Sequence, residues 1–299
     1  MIIGLSVPPL LPYVCALIAK LKGIEFVYWA MDLQPELSIS SKLISKGSLQ
    51  AKLLSASGNY AFRKATKIVT LDKLMKKHIY SRSNNQNIGV IPVWPVLTDS
   101  YCGRRLDNPF RKQMNFGDKI VIMYSGNHSF VHPLDTHLRV AELMKDDPRF
   151  LFVFIGEGTQ KRKVLKYIDD KECQNIIQLP YQPKEKIHLS LSSGDFQVVV
   201  MGGNNNGFTH PNKIYGAMLA GCAIIYIGPQ DSFIGGILKD CPGNLSLNHG
   251  EEVFLKNAII EKSRNIQDVI EQGNANKKYA EKHFDPEVLK EKMYQYIVE

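Results

Sequence analysis

The 299-residue sequence predicts an α/β protein of two doubly wound parallel-sheet units, the N-terminal one incomplete. Two observations carry this prediction. From Lys119 onward, short β-branched or aromatic runs alternate regularly with helical patterns, and the runs are apolar throughout, as strands covered on both faces by crossover helices must be. The second is the stretch 196–229, FQVVVMGGNNNGFTHPNKIYGAMLAGCAIIYIGP, in which a buried strand enters a Gly- and Asn-rich loop, then a short helix, then a second apolar strand.

Taken in order, the first unit is expected over 1–112, with strands over 2–5, 25–29, 67–71 and 88–91 and helices over 10–22, 48–64 and 72–81. Residues 1–19 are the most apolar stretch, but Pro8, Pro9 and Pro12 interrupt them and no basic segment precedes them, so a strand and a helix explain them better than a signal peptide. Four strands are few for a self-sufficient unit of this kind, which usually needs about 150 residues, and an exposed sheet edge is the expected consequence. Residues 99–118, with Gly103, Pro109, Gly117 and several Lys and Arg, read as a polar linker.

The second unit, 113–273, is expected to hold strands over 120–124, 150–155, 176–179, 196–201, 223–227 and 244–247. Helices are expected over 134–144, 160–168, 183–191, 211–220 and 232–238. In such sheets a ligand sits beyond the carboxyl ends of the strands at the switch in strand order, which places the loops 125–132, 156–158, 181–182 and 202–210 around one crevice. Helices over 274–283 and 286–298 close the chain. Asp285 caps the last of them, whose stripe of Val288, Leu289, Met293 and Ile297 is read as packing across a groove toward the first unit, or else as ordinary core.

The helix after His210 is the candidate site. Pro211 is placed at its first position and Gly221 just past its end. The first N–H groups of a helix have no partner within it, and its dipole places about half a positive charge there, so a phosphate group can be held without a charged cage. Lys213 adds a full charge one turn in. The plainer alternative is an ordinary strand-loop-helix-strand unit whose lysine is merely solvated.

Charge is divided unevenly: 16 Lys and Arg face 6 Asp and Glu over 1–112, against 21 and 23 over 113–299. A basic N-terminal half suits an anionic membrane surface or acceptor, at about 1 kcal/mol per basic residue near acidic lipid, with a plain solvated surface as the alternative. Nucleic acid is not expected, because the basic residues are dispersed outside any helix-turn-helix, zinc-finger or aromatic-interleaved pattern. Five scattered cysteines without a CxxC pair fit reduced thiols in a cytosolic protein, and scattered histidines argue against a structural metal site.

Six stretches carry a family resemblance: YWAMDLQPE (28–36), TKIVTLDKLMKKHI with VIPVWP (66–95), MYSGNHSFVHPLDTHL (123–138), FVFIGEG (152–158), LPYQPKEKI (179–187) and GFTHPNKIYGAMLAGCAIIYIGP (207–229). Together and in order, they resemble nucleotide-sugar glycosyltransferases of the GT-B fold, family 4, among them enzymes of polysaccharide biosynthesis. The resemblance implies two Rossmann-like domains: an acceptor-side domain over 1–112, a donor domain over 113–273, and terminal helices over 274–299 returning toward the first. It implies that Lys213 and the amides after His210 (Asn212, Lys213, Ile214), with Phe208, Thr209 and His210 in the loop before them, hold the diphosphate of an NDP-sugar. Gly126, Asn127 and His128 would line the same phosphates, with Gly156 and Glu157 in the neighbouring loop. Tyr181 and Gln182 would lie near the base, and Asp32 at the acceptor side. Asp32 and Lys213 are the two residues given catalytic roles. The implied chemistry is retaining and metal-independent hexosyl transfer without a cofactor, in which fixed donors stabilise the leaving diphosphate. The implied acceptor is a saccharide or a lipid-linked saccharide, and the implied location is cytoplasmic, at the inner membrane face.

The sequence also departs from that family. Where many relatives carry two glutamates around this helix, Phe208 and Gly216 stand here; an arginine near Asn127 and a histidine near Met31 are missing, and His128, His132 and His210 lie close enough to substitute as phosphate donors. Family members begin with a strand, a Gly-rich turn and further βα units ahead of a segment like MIIGLS. The expectation is therefore a shortened enzyme or one completed by a partner chain. A nucleotide-sugar-binding module without its own activity and a sugar-nucleotide epimerase of the same fold are the alternatives.

Overall fold

The computed structural model describes residues 1–95 and 101–299, so Asp99 and Ser100 of the expected linker lie outside the described residues. Contacts group the chain into two units: Met1–Trp94, Asn204–His210 and Pro286–Glu299 form the first, and Pro95–Gly203 and Pro211–Asp285 the second.

The first unit holds a four-stranded sheet in the order β1 (Ile2–Leu5), β2 (Phe26–Ala30), β3 (Lys67–Thr70), β4 (Ile88–Val90), every neighbouring pair parallel. Helix α1 (Leu11–Lys22) has Pro12 in its first turn and stops at Gly23, whose φ of 62° is the left-handed cap glycine supplies cheaply. Its Ala16 and Ala19 are buried against the sheet, and Gly4 of β1 admits it closely: a Cβ there would meet Phe26 at 2.9 Å and Cys15 at 3.2 Å. A short α2 (Glu36–Ser40), which the sequence pattern does not announce, precedes α3 (Leu49–Lys64), capped by the Ser48 hydroxyl accepting from Ala51 N. Helix α4 (Lys73–Ser83) is capped by Asp72, which accepts from Met75 N at 2.8 Å. Tyr28, Phe62, Ile68, Met75 and Ile79 form the core between helices and sheet. The strand order never reverses, and of the two edge strands, β1 and β4, β1 has Ile3 48% and Leu5 42% exposed.

The second unit carries α5 (Pro109–Gln113), β5 (Ile120–Ser125), α6 (Asp135–Leu143), β6 (Phe150–Ile155), α7 (Lys161–Lys171), β7 (Ile176–Leu179), α8 (Ile187–Leu191), β8 (Phe196–Val200), α9 (Lys213–Leu219), β9 (Ala223–Ile227), α10 (Phe233–Asp240), β10 (Leu245–Leu247), α11 (Glu252–Lys262) and α12 (Ile266–His283). The six strands are parallel in the order β10-β9-β8-β5-β6-β7. The order reverses between β5 and β8, the switch at which doubly wound sheets open a crevice. Strand side chains alternate between two apolar layers. Tyr124, Phe152, Phe154 and Val198 lie in one, and Val121, Met123, Val153 and Ile155 pack with Phe110 and Phe116 in the other.

Three expectations change. The part of the proposed linker that is described is folded structure: Arg111 is buried and its guanidinium donates to Ser193 O, Gly117 O and Asp195, while Asn108 caps α5 and donates to Leu189 O. Basic residues that read as solvated thus satisfy carbonyls and one buried carboxylate, and the unit boundary falls after Trp94 instead of 112. Helix α12 begins at Ile266, ahead of the expected start at 274, and runs through Gly273, which serves close approach: a Cβ there would lie 1.9 Å from Gly221 O. Finally, α12 belongs to the second unit, where Asn276 donates to Cys222 O, and only the last helix, α13 (Pro286–Val298), groups with the first. There Tyr296 packs on Gly89 and the Ile297 carbonyl accepts from Lys67 Nζ at 3.2 Å.

Candidate functional site

At the switch point of the second unit, the loops after β5 and β6 are locked together through glycine. Gly126, Gly156 and Gly158 have φ of 133°, 138° and 135°, a region that side chains strain to adopt. A Cβ on Gly156 would lie 2.1 Å from Gly126 O, and one on Gly158 2.9 Å from both His128 N and His128 C, so these residue types are dictated by backbone touching backbone. Hydrogen bonds from Gly126 N to Ile155 O (2.9 Å) and from His128 N to Glu157 O (2.8 Å) fasten the pair. The Tyr124 hydroxyl donates to Asn127 O at 2.9 Å, and Gly202 N, beyond the end of β8, donates to Val131 O at 3.1 Å.

Into this frame α9 delivers Lys213. Its Nζ is buried, has no hydrogen-bond partner among the described residues, and sits 3.7 Å from the centroid of the Tyr124 ring. It is also 3.5 Å from where a side chain at Gly126 would begin. Burial pulls its ammonium down to about 7, because a desolvated charge without a counter-ion is disfavoured. Two histidines face it in neutral form. His128 is held below the usual histidine range by burial, then by the Lys213 charge, with its Nδ1 3.0 Å from Gly126 O. His132 is lowered to about 3 by burial and then by Lys213. An amine poised among glycine loops, neutral imidazoles and a π face has the chemistry to receive an anion.

The helix itself differs from expectation. It starts at Lys213, with Asn212 as N-cap, so Pro211 lies before the cap and the lysine is its first residue. The amides of Ile214 and Tyr215 are taken by the carbonyls of Pro211 and Asn212 at 3.2 and 3.3 Å. The structure therefore puts the weight of this site on the ammonium.

The other named residues are distributed as follows. Glu157 pairs with Lys161 Nζ at 2.6 Å. Tyr181 is half exposed, and the Gln182 amide donates to Pro180 O. Phe208, Thr209 and His210 pack in the first unit: Phe208 O accepts from Leu33 N at 2.8 Å and its ring meets His78 edge-on. The Thr209 hydroxyl donates to Asp32 at 2.7 Å, and His210 Nδ1 lies 3.2 Å from Asp72. Asp32 is held above the ordinary carboxylate range by burial, opposed by the Thr209 hydrogen bond and the His210 charge. Beside it, Glu36 binds Arg82 at 2.9 Å and His78 at 3.1 Å. Tyr124, Asp72 and Arg82 were missed as site-forming residues. Tyr124 reads as one more apolar strand position, and Asp72 only as a helix start.

No protein-family model matches the chain. Among curated proteins it is 22% identical over 244 residues to WbjE of Pseudomonas aeruginosa, named a probable glycosyltransferase, covering 79% of this chain and 61% of that one. It is 24% identical over 276 residues to WcaI of Escherichia coli (strain K12), named as a glycosyl transferase of colanic acid biosynthesis, covering 91% and 67%. The chain thus spans about two thirds or less of the length of these relatives. Among solved structures, Anabaena Alr3699/HepE in complex with UDP-glucose superposes with a TM-score of 0.78 at 14% identity, covering 99% of this chain and 78% of that one. Two all-parallel α/β sheets in these strand orders have the GT-B glycosyltransferase fold, and over most of its length the chain is similar to bacterial glycosyltransferases.

Proposed function

We propose that the protein is a glycosyltransferase of the family 4 type, moving a sugar from an NDP-sugar to a saccharide or lipid-linked acceptor with retention of anomeric configuration. The observation that carries this reading is the buried Lys213 ammonium, without a partner among the described residues, at the switch point of the donor-type sheet. As the bond from the anomeric carbon to the diphosphate oxygen breaks, negative charge grows on the diphosphate. A preorganised cation in a dry site stabilises that charge more in the transition state than in the ground state, and this is what lowers the barrier. We read the transfer as metal-independent on that basis. Gly126, Asn127 and His128 line the diphosphate, Tyr181 and Gln182 the base, and Asp32 with Thr209 serves the acceptor side. HepE was solved with UDP-glucose, which supports a nucleotide sugar as the donor class.

The test is NDP binding by calorimetry and sugar transfer from labelled NDP-sugars for wild type and Lys213→Ala. Loss of a charge-assisted contact should weaken NDP binding by about 1.5–3 kcal/mol. Unchanged affinity would remove the phosphate assignment.

The open edge of β1 supports a second reading, in which the chain binds the donor but turns over only when a further strand pairs along β1. Ligand-induced thermal stabilisation without hydrolysis or transfer distinguishes the two.

A further inference from the structure

One surface of the first unit combines two properties that water does not favour together. On α3, Leu49 is 83% and Leu53 60% exposed, one turn apart on the outward face, while Ala51, Ser57, Ala61 and Phe62 of the same helix are buried. Ahead of α3, Leu43 is 65% exposed and held out by an ordered turn: Lys42 takes φ 58°, and Leu43 N donates to Ser38 O at 2.9 Å. Lys42, Lys46 and Lys52, interleaved in sequence with these leucines, are exposed, as are Arg63 and Lys64 at the far end of α3.

The charge here is not locally neutralised. Residues 37–71 contain no Asp or Glu, and the acids of residues 1–94 are Glu25, Asp32, Glu36 and Asp72. Three of those four are turned inward, Asp32 to Thr209, Glu36 to Arg82 and His78, and Asp72 to His210. Exposed leucines interleaved with exposed lysines fit a partner that is anionic at its surface and apolar just beneath. Nucleic acid supplies the first property without the second.

We infer that the protein docks on an anionic lipid bilayer through the surface of Leu43, Leu49 and Leu53, the leucines entering the headgroup–acyl boundary and Lys42, Lys46 and Lys52 facing lipid phosphates. No helix among the described residues is long and apolar enough to cross a membrane, so this is contact from one side. It is independent of the Lys213 site.

The experiment is co-sedimentation of the full chain with phosphatidylglycerol-rich and with all-phosphatidylcholine vesicles, across salt. Wild type partitions to the anionic vesicles and is released by salt. The double variant Leu49→Ser, Leu53→Ser, with a melting temperature matching wild type because both sites face solvent, partitions at least about tenfold more weakly. The triple variant Lys42→Glu, Lys46→Glu, Lys52→Glu loses about a hundredfold or more and its salt dependence flattens. In Leu49→Trp the emission shifts to the blue on adding anionic vesicles. Leucine variants that partition like wild type, or a duplex oligonucleotide that binds more tightly than vesicles and is indifferent to the leucines, would overturn the proposal.

Discussion

Lys213 Nζ stands 3.7 Å from the centroid of the Tyr124 ring, with His128 and His132 as its other titratable neighbours. The ring face attracts the ammonium, at about 0.5–2 kcal/mol, but does not neutralise it.

A bound diphosphate favours the ammonium, whereas the empty site releases its proton near pH 7. NDP affinity should therefore be level below pH 7 and decline up to tenfold per unit above it, with calorimetry in buffers of different ionisation enthalpy reporting proton uptake on binding. The unfolded chain keeps the lysine protonated to about pH 10.4, so between the two values it binds more protons than the folded chain and stability rises with pH. Lys213→Met should raise unliganded stability at pH 7 by on the order of 4 kcal/mol at most while weakening NDP binding.

Gly156→Ala should destabilise the fold by about 3 kcal/mol or more, since the added Cβ meets Gly126 O at 2.1 Å and φ is 138°. Gly203→Ala, where nothing lies within 4 Å of the added atom, should change stability by less than about 0.5 kcal/mol in the same denaturant titration.

His137 lies buried against Phe152 and Phe154, with neither ring nitrogen hydrogen-bonded among the described residues, and burial lowers it to about 3. The unfolded chain takes up this proton below about pH 6.5 and the folded chain does not, so stability falls as pH drops from there toward 3, by about 3 kcal/mol at pH 4. His137→Phe should flatten that part of the profile in urea titrations at successive pH values. His132, also lowered to about 3, leaves a second step of the same sign.

Asp195 accepts from Val121 N at 2.8 Å and pairs with Arg105 and with the buried Arg111. Removing the carboxylate in Asp195→Ala strands Arg111 and should cost about 3–5 kcal/mol, visible as a lowered denaturation midpoint. The double variant Asp195→Leu, Arg111→Leu should recover part of that loss.

Asp32 is held above its ordinary range by burial, so its ionisation opposes folding: stability declines as pH rises from about 3.9 through the folded value and is level beyond it. Asp32→Asn should raise the melting temperature at neutral pH and lower transfer without changing NDP affinity. Weakened NDP binding would move Asp32 out of its acceptor-side role.

Much of the fold was legible because parallel strands buried on both faces announce themselves. Phe150–Ile155, Ile176–Leu179 and Ala223–Ile227 fall on their expected boundaries. What stayed hidden was set by tertiary contact. Nothing local distinguishes Arg111 in a basic stretch from a solvated arginine until Asp195 and Ser193 O arrive from residues far along the chain. The helix expected from 274 leaves out Gly273 because the backbone this glycine approaches, at Gly221, is remote in sequence. In the site, the glycine loops and Lys213 could be marked from pattern and family likeness. The dryness of the ammonium could not, because it depends on Tyr124 closing over it.

The first unit draws Asp72 its imidazole and Asp32 its hydroxyl from residues 204–210, and its last helix from 286–299. On a ribosome, residues 1–94 therefore emerge with these groups uncompensated and wait for residues 204–210 and 286–299 before they can be completed. Of the two units, the one begun earlier is finished last, and a recombinant fragment ending near Trp94 inherits that deficit permanently.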